Sequence, residues 1–466
     1  MSKLFDRLQD VLQRFVDHME ADTSTEEFSQ YLEYSYLTGV YLAINAIRDA
    51  RLVVEGPDCT YMKTQYVQGN QDILSTMTSV SGYHRLANTA LHPAMMSASR
   101  EQPVRELLTE VASHPSTAGA FITSMPMAFI TGADYERLCR AVGEETGTEV
   151  ISIRGLSLQG DWLDGYAETL RSLAKQLVLP DVETARRKVA VVGHLMDRTE
   201  YDQVANVAEI TDMLEALDLE VVSIWLSGQG FGELSRIAEA GTILSLPYAR
   251  KAAKILALRT RAEVVELPLP FGLGACEEWM TTLGDRFGEE EKAKAYVDAR
   301  LSSIIPRFEW LVPFVFQNIK AGWVGDPHLL PGFVDIIELL GGSLNYGVIT
   351  NRPSHARGIK DLVERYGIHV HPHQKTFVRE LAGHLVHEGI QLLVTNDIGM
   401  RIPAQGSAFY DFGFPTVFRH ELYDRPFLGF RGFAAFVSDL ANRLRQKEVD
   451  DTRLEQLLSL LESSST

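Results

Sequence analysis

Short unbroken apolar runs alternate along this chain with longer stretches in which apolar positions recur every three or four residues, the strand and helix periods respectively. Runs at 52–55, 119–123 and 149–154 predict strands, with helices from Asp134 through Cys139 and over 165–177. Leu179-Pro180-Asp181 and the charged Arg186-Arg187-Lys188 interrupt the pattern. A second set follows at 189–193, 220–226, 242–246 and 263–269, again with helical stretches between. The charged helix 289–300 and Pro306 lead to a third set at 321–324, 342–349, 368–370, 391–394 and 416–418. Runs that are apolar on both faces and separated by helices predict parallel sheets covered on both sides. Ahead of them, Leu4, Phe5, Leu8, Val11, Leu12, Phe15 and Val16 form a helical stripe that packs on its own chain or reaches a partner subunit. Ser24-Thr25-Glu26-Glu27 offers capping chemistry for a second helix running to about Ala50.

The expected fold class is therefore α/β: three Rossmann-like αβα domains with parallel sheets, a substrate or cofactor cleft between domains, and an N-terminal helical arm. The boundaries read as 1–186, carrying the arm and Cys59, then 187–305, then 306–466 with the C-terminal helices. A length of 466 residues agrees with three domains of about 150 each. The content of 45% hydrophobic and 23% charged residues is that of a chain with a full core. A formal net charge of −18 argues against broad nucleic-acid binding, which needs a concentrated basic face. Three cysteines exclude a disulfide framework and fit a reducing compartment. With no secretory pattern at the start and no long apolar run, the expectation is a cytoplasmic protein without a membrane span.

Candidate chemistry begins at Cys59, in the turn Glu55-Gly56-Pro57-Asp58-Cys59 behind a strand. A thiol presented by a Gly-Pro turn at a strand end is placed for a ligand or a partner, yet Cys139 and Cys276 are distant in sequence. Cys139 sits on an apolar helix face with Leu138 and Val142 and reads as core. Cys276, in the first turn of a helix beside Glu277 and Glu278, is either a reactive thiol or a buried inert one. Gly228-Gln229-Gly230-Phe231-Gly232 suits an anion at a helix N-terminus or is a plain tight turn. His369, His371 and His373 would face one side if extended, as a metal-binding comb or as a solvated loop. Asn396-Asp397 follows a strand, either as site residues or as a cap. No GxxxxGK[ST] loop occurs, so no ATP site is expected in this chain.

Three stretches carry a resemblance: 266–279 with Leu267-Pro268-Leu269-Pro270-Phe271-Gly272; 322–340 with Gly325-Asp326-Pro327; and 392–431 with Gly413-Phe414-Pro415 and Gly429-Phe430-Arg431. In their order and spacing the chain resembles the nitrogenase component 1 type of oxidoreductases from about residue 30 to 445, nearest to beta-type subunits and to relatives in dark-operative chlorophyll synthesis. In the nitrogenase pattern three cysteines per subunit hold a shared iron–sulfur cluster. Cys59 falls on the second, while Ser35 and Ser124 stand at the first and third. The relatives in chlorophyll synthesis imply a 4Fe–4S cluster with three cysteines from one subunit and a single ligand from the other. Cys59 would be that single ligand, with Asp58 an adjacent alternative and Ser35 and Ser124 auxiliary.

The resemblance implies a subunit of the catalytic component of an ATP-dependent, two-component reductase, inactive alone and assembled as a heterotetramer. Its partners would be a three-cysteine alpha-type homologous subunit and a separate iron–sulfur ATPase. Electrons would pass to a small-molecule substrate in the cleft, where His371, His373, Asn396 and Arg419 are the candidate lining residues. Arg431 reads as structural in its Gly-flanked turn. Two other readings are a scaffold for metal-cluster assembly and a metal-free small-molecule binding homologue.

Overall fold

Strands buried on both faces need apolar side chains at consecutive positions, and these runs organise the molecule into three parallel sheets. The computed structural model describes residues 31, 33–78, 84–95, 99–130, 132–156, 159–402 and 406–463. The helical stripe at 3–20 and the capping chemistry at 24–27 lie outside the described residues. The first sheet has the order β2-β1-β3-β4, built from β1 (Ala50–Glu55), β2 (Leu86–Asn88), β3 (Gly119–Ser124) and β4 (Glu149–Ser152). The second has the order β6-β5-β7-β8, from β5 (Ala185–Val192), β6 (Glu220–Ile224), β7 (Ala240–Ser245) and β8 (Glu263–Glu266). The third has the order β11-β10-β9-β12-β13, from β9 (Lys320–Gly325), β10 (Ser343–Ile349), β11 (His369–Val370), β12 (Leu392–Thr395) and β13 (Ala408–Asp411). Neighbouring strands in all three pair in parallel. Every residue of β1 and β3 is buried, which explains why both read as continuous apolar runs.

Three local expectations are corrected. The run at 416–418 is loop, and the edge strand is β13, which pairs with β12 from Leu392↔Ala408 to Thr395↔Asp411. The apolar character at 416–418 does not come from a ladder: Thr416 donates its N–H to the Gln71 side chain, and Phe418 is exposed. The helix expected to reach Ala50 spans Tyr36–Asn45, because β1 already begins at Ala50. The charged helix runs over Glu290–Phe308 with Pro306 inside it, at the cost of one backbone hydrogen bond near its C-terminal end.

The helix Tyr36–Asn45 is buried at all ten positions. It crosses the helix Trp162–Gln176 where two glycines meet: a methyl at Gly39 would collide with the Trp162 carbonyl, and one at Gly165 with the Tyr36 carbonyl. This close crossing fixes Ser35, just ahead of the first helix, and Asp161, just ahead of the second, whose backbones form an isolated antiparallel bridge. One hydrophobic core runs on from this pair through the second sheet to Leu444 on the C-terminal helix Gly429–Ser463. Among the described residues, no helix is long and apolar enough to cross a membrane.

Candidate functional site

The carboxyl end of β1 turns through Gly56, Pro57 and Asp58 into the helix Thr60–Val67, and Cys59 is the residue before that helix. Main-chain bonds lock the turn: Thr60 N–H donates to Pro57 O (3.3 Å) and Tyr61 N–H to Asp58 O (3.0 Å). A methyl at Gly56 would lie 2.5 Å from Met125 Cγ, so only glycine lets this turn lie against the loop after β3. The outcome is an exposed Cys59 thiol beside an exposed Asp58. Cys139 and Cys276 are buried. Burial pushes the Cys139 thiol up to about 12 and Cys276 well above its ordinary range, and Cys276 Sγ lies 3.5 Å from Pro270 O. Both are thereby inert, and Cys59 is the thiol that can meet a ligand.

The two serine positions take different roles. Ser35 Oγ lies 3.1 Å from Thr38 Oγ1 and accepts from Lys63 Nζ at 3.1 Å. Lys63 stands one helical turn after Cys59; burial lowers its ammonium pKa, and the charge of Cys59 opposes that shift. Ser35 and Cys59 thus flank one lysine. Ser124 pairs in register with Glu55 at the end of β3, is buried, and its Oγ has no hydrogen-bond partner. A methyl at Gly155 would lie 2.5 Å from that oxygen, so Ser124 packs beneath the surface instead of facing out with the thiol. Below the turn, buried Glu55 accepts from Tyr135 Oη and lies 3.6 Å from Arg100 Nε. Burial raises its carboxyl pKa, against the Tyr135 hydrogen bond and the Arg100 charge.

A four-iron cluster takes about four ligands, typically thiolates. The donor set here is one exposed thiol, a neighbouring cation and two hydroxyls, one of them held by Lys63 and Thr38 and the other buried. It fits a single-ligand contribution to a cluster whose other ligands come from a second chain. It does not fit a cluster held by this chain alone.

The other sequence candidates are placed apart. β11 ends at Val370, and His371 adopts a left-handed backbone (φ 53°), which breaks the histidine comb. His371 Nε2 lies 2.9 Å from Glu33 Oε2, while Tyr31 stacks on both His371 and His373 at 4.4 and 4.1 Å. His369 turns to Glu380 at 3.3 Å. Asn396 is a buried helix cap, accepting from Ile398 N–H (3.2 Å) and donating to Phe414 O (3.0 Å). Arg419 lies over the Tyr410 ring and pairs with Asp439 (2.6 Å) and Glu421. Gly230 sits at a tight turn whose next N–H, on Phe231, is taken by Asp49, so a protein carboxylate already fills the anion position. Arg431 pairs with buried Glu209.

Sequence reasoning missed the polar seam that joins the three sheets. Gln71 donates to Asp197 Oδ2 (2.9 Å) and accepts from Thr416 N–H, touching all three units at once. Buried Glu200 accepts from His420 Nδ1 and Glu421 N–H, both at 2.8 Å. Asp161 caps the helix Trp162–Gln176 in a capping box with Asp164, and His355 Nε2 from beyond β10 lies 3.3 Å from both carboxylates. Burial works against the charge on His355, but Asp161 and Asp164 push its pKa up to about 9. Burial likewise opposes the charge on Asp161, yet the His355 contact holds its carboxyl below the ordinary range. Asp-x-x-Asp ahead of an apolar run was a legible capping signal; the partners across the seam carried none.

A cleft lies between the loops that follow β5 and β13. It encloses a cavity of about 40 Å³ and is lined by His194, Asp197, Tyr248, Asp411, Phe436 and Arg419 among others. Of the four cleft candidates, Arg419 lines it.

Residues 35–445 match the family model described as nitrogenase component 1 type oxidoreductase. The chain is similar to the nitrogenase molybdenum-iron protein beta chain of Clostridium pasteurianum, 26% identical over 270 residues, 52% of this chain and 57% of the relative. It is also similar to the nitrogenase molybdenum-iron protein alpha chain of Methanothermobacter thermautotrophicus, 24% over 330 residues, 67% and 64% of the two chains. A third relative is the nitrogenase iron-molybdenum cofactor biosynthesis protein NifE of Clostridium pasteurianum, 20% over 280 residues, 59% and 58%. The matches span less than two thirds of each relative's length. Among solved structures, a chain of "Nitrogenase Cp1 at pH 6.5" superposes with a TM-score of 0.76 at 17% identity, covering 90% of this chain and 93% of the other, a likeness of fold.

Proposed function

Because this chain belongs to the nitrogenase component 1 type oxidoreductase family, we propose that it is a beta-type subunit of the catalytic component of a nitrogenase-like, ATP-dependent two-component reductase. In this reading it relays electrons through a 4Fe–4S cluster shared with an alpha-type, three-cysteine partner to a small-molecule substrate in the cleft. A separate iron–sulfur ATPase would deliver the electrons. Similarity to alpha and beta chains alike supports a paired assembly.

The observation that carries the reading is Cys59, one exposed thiol on a rigid turn at the carboxyl end of a buried strand. When bound, a 4Fe–4S cluster accepts and releases one electron at a time. The chain's own part is positional. Cys59 Sγ supplies one ligand, with the Asp58 carboxylate the adjacent alternative. The Gly56–Met125 contact holds the turn against the loop after β3. Lys63, one turn on, places a positive charge beside a thiolate and orients Ser35 through its hydrogen bond.

The test is anaerobic co-purification with a three-cysteine partner. Iron–sulfur absorption that is lost in Cys59→Ala supports the reading. Absorption unchanged in that variant, or absent from wild type, overturns it, and iron below stoichiometry would favour a metal-free binding homologue. A second reading, a scaffold for metal-cluster assembly, is favoured by the similarity to NifE. A complex that releases its cluster to another protein and reduces nothing would select it.

A further inference from the structure

The cleft between the loops after β5 and β13 has an unbalanced charge ledger. Its lining contains five carboxyl groups (Asp197, Asp202, Asp411, Glu421, Asp439) and three guanidinium groups (Arg198, Arg419, Arg425), two more acids than bases. All three arginines are committed: Arg198 to Asp202 at 2.6 Å, Arg419 to Glu421 and Asp439, and Arg425 to Asp439. The remaining two carboxylates have no arginine partner there. Asp197 is held by two amides, from Gln203 (2.6 Å) and Gln71 (2.9 Å). Asp411 accepts from Phe418 N–H at one oxygen (2.8 Å), while its other oxygen, Oδ1, is buried with no hydrogen-bond partner.

Two more lining groups are unmatched. His194 is 1% exposed, and its Nε2 has no partner. Burial pushes its pKa down to about 4, so it is neutral, and in its Nδ1–H tautomer Nε2 is an acceptor. Arg425 Nε also lacks a partner. Burial raises the Asp411 carboxyl to about 7, with N–H bonds from Phe418 and Val417 and the Arg198 charge opposing, and burial raises Asp197 to about 7 as well. The rest of the wall is aromatic, from Phe412, Phe414, Phe436 and Tyr248.

We propose that this cleft binds a small protonated amine, ammonium or a primary alkylammonium of a few heavy atoms, donating to Asp411 Oδ1 and His194 Nε2 against the aromatic wall. Above about pH 7, where Asp411 is ionised, charge selects a cation, and two unpaired acceptors select one with several N–H donors. Aromatic lining suits a cation of this kind. A divalent metal would require several oxygens converging at about 2.0–2.6 Å. Among the described residues, the group whose ligand atoms lie within 4.8 Å of one another is elsewhere, at Asp161, Asp164 and His355. The confined space is small, about 40 Å³, which limits the ligand to a few heavy atoms. The proposal does not depend on the cluster at Cys59.

The experiment uses the full chain, free of cluster and partner, titrated with methylammonium chloride and with sodium and tetramethylammonium chloride at matched ionic strength. The expected result is a rise in Tm of about 1.5 °C at ten times Kd, growing with the logarithm of concentration, for methylammonium alone. The rise should be lost in Asp411→Asn, which keeps the side-chain shape. Saturation-transfer NMR on the methyl group of methylammonium reads binding directly, so an unstable variant still leaves wild type and His194→Gln to compare. Equal responses to the three salts together with no transfer in wild type would mean a water-filled cleft and overturn the proposal. Undiminished binding in both variants would overturn it as well. Neither result bears on iron binding, so failure here and failure of the Cys59 reading are distinguishable.

Discussion

Replacing His355 by glutamine should weaken the protein in a pH-dependent way. His355 reaches from the third sheet to the capping box of the helix Trp162–Gln176, with Nε2 3.3 Å from Asp161 Oδ1 and Asp164 Oδ2. Asn351 Nδ2 (3.2 Å) and Arg352 N–H (2.8 Å) donate to the other Asp161 oxygen, so the imidazolium is the charge that closes this junction. Its pKa of about 9 stands above the ordinary 6.5. A raised folded-state pKa stabilises fully below 6.5, and the stabilisation is lost as pH rises through 9. At 1.36 kcal/mol per pKa unit, linkage gives about 3 kcal/mol at pH 6.5 and about 0.4 kcal/mol at pH 9. Glutamine retains a donor but cannot take a proton. The gap in urea unfolding free energy between wild type and His355→Gln should therefore narrow from about 3 to under 1 kcal/mol between these pH values. A gap that stays constant across the window would refute the assignment of a charged His355.

Three other expectations follow from the packing. Gly39→Ala places a methyl into the Trp162 carbonyl and forces two buried helices apart; a loss of about 3 kcal/mol or more, read by thermal melting, is expected. Gln71→Ala strips Asp197 and Thr416 of a buried partner each. It should cost about 2–4 kcal/mol and split the unfolding transition, visible by calorimetry, because one side chain spans three units. In native protein one thiol, Cys59, should react quickly with a disulfide reagent, and all three should react after denaturation. Fast reaction of Cys276 would contradict its contact with Pro270 O.

The sequence by itself determined the three strand sets, because a strand buried on both faces must be apolar at every position and that constraint is local. It also singled out Cys59, a thiol in a Gly-Pro turn behind such a strand, and the structure finds that thiol exposed. The 416–418 run misled because loop residues in a seam are as apolar as strand residues, and only the ladder between β12 and β13 tells them apart. The tertiary structure alone decided the fates of His371, which meets Glu33 across 338 positions of chain, and of Ser124, buried under Gly155. It alone assembled Gln71, Asp197 and Thr416, or Asp161 and His355. A buried polar group must find a partner wherever the fold brings one, and that partner leaves no periodicity or spacing in the sequence to announce it.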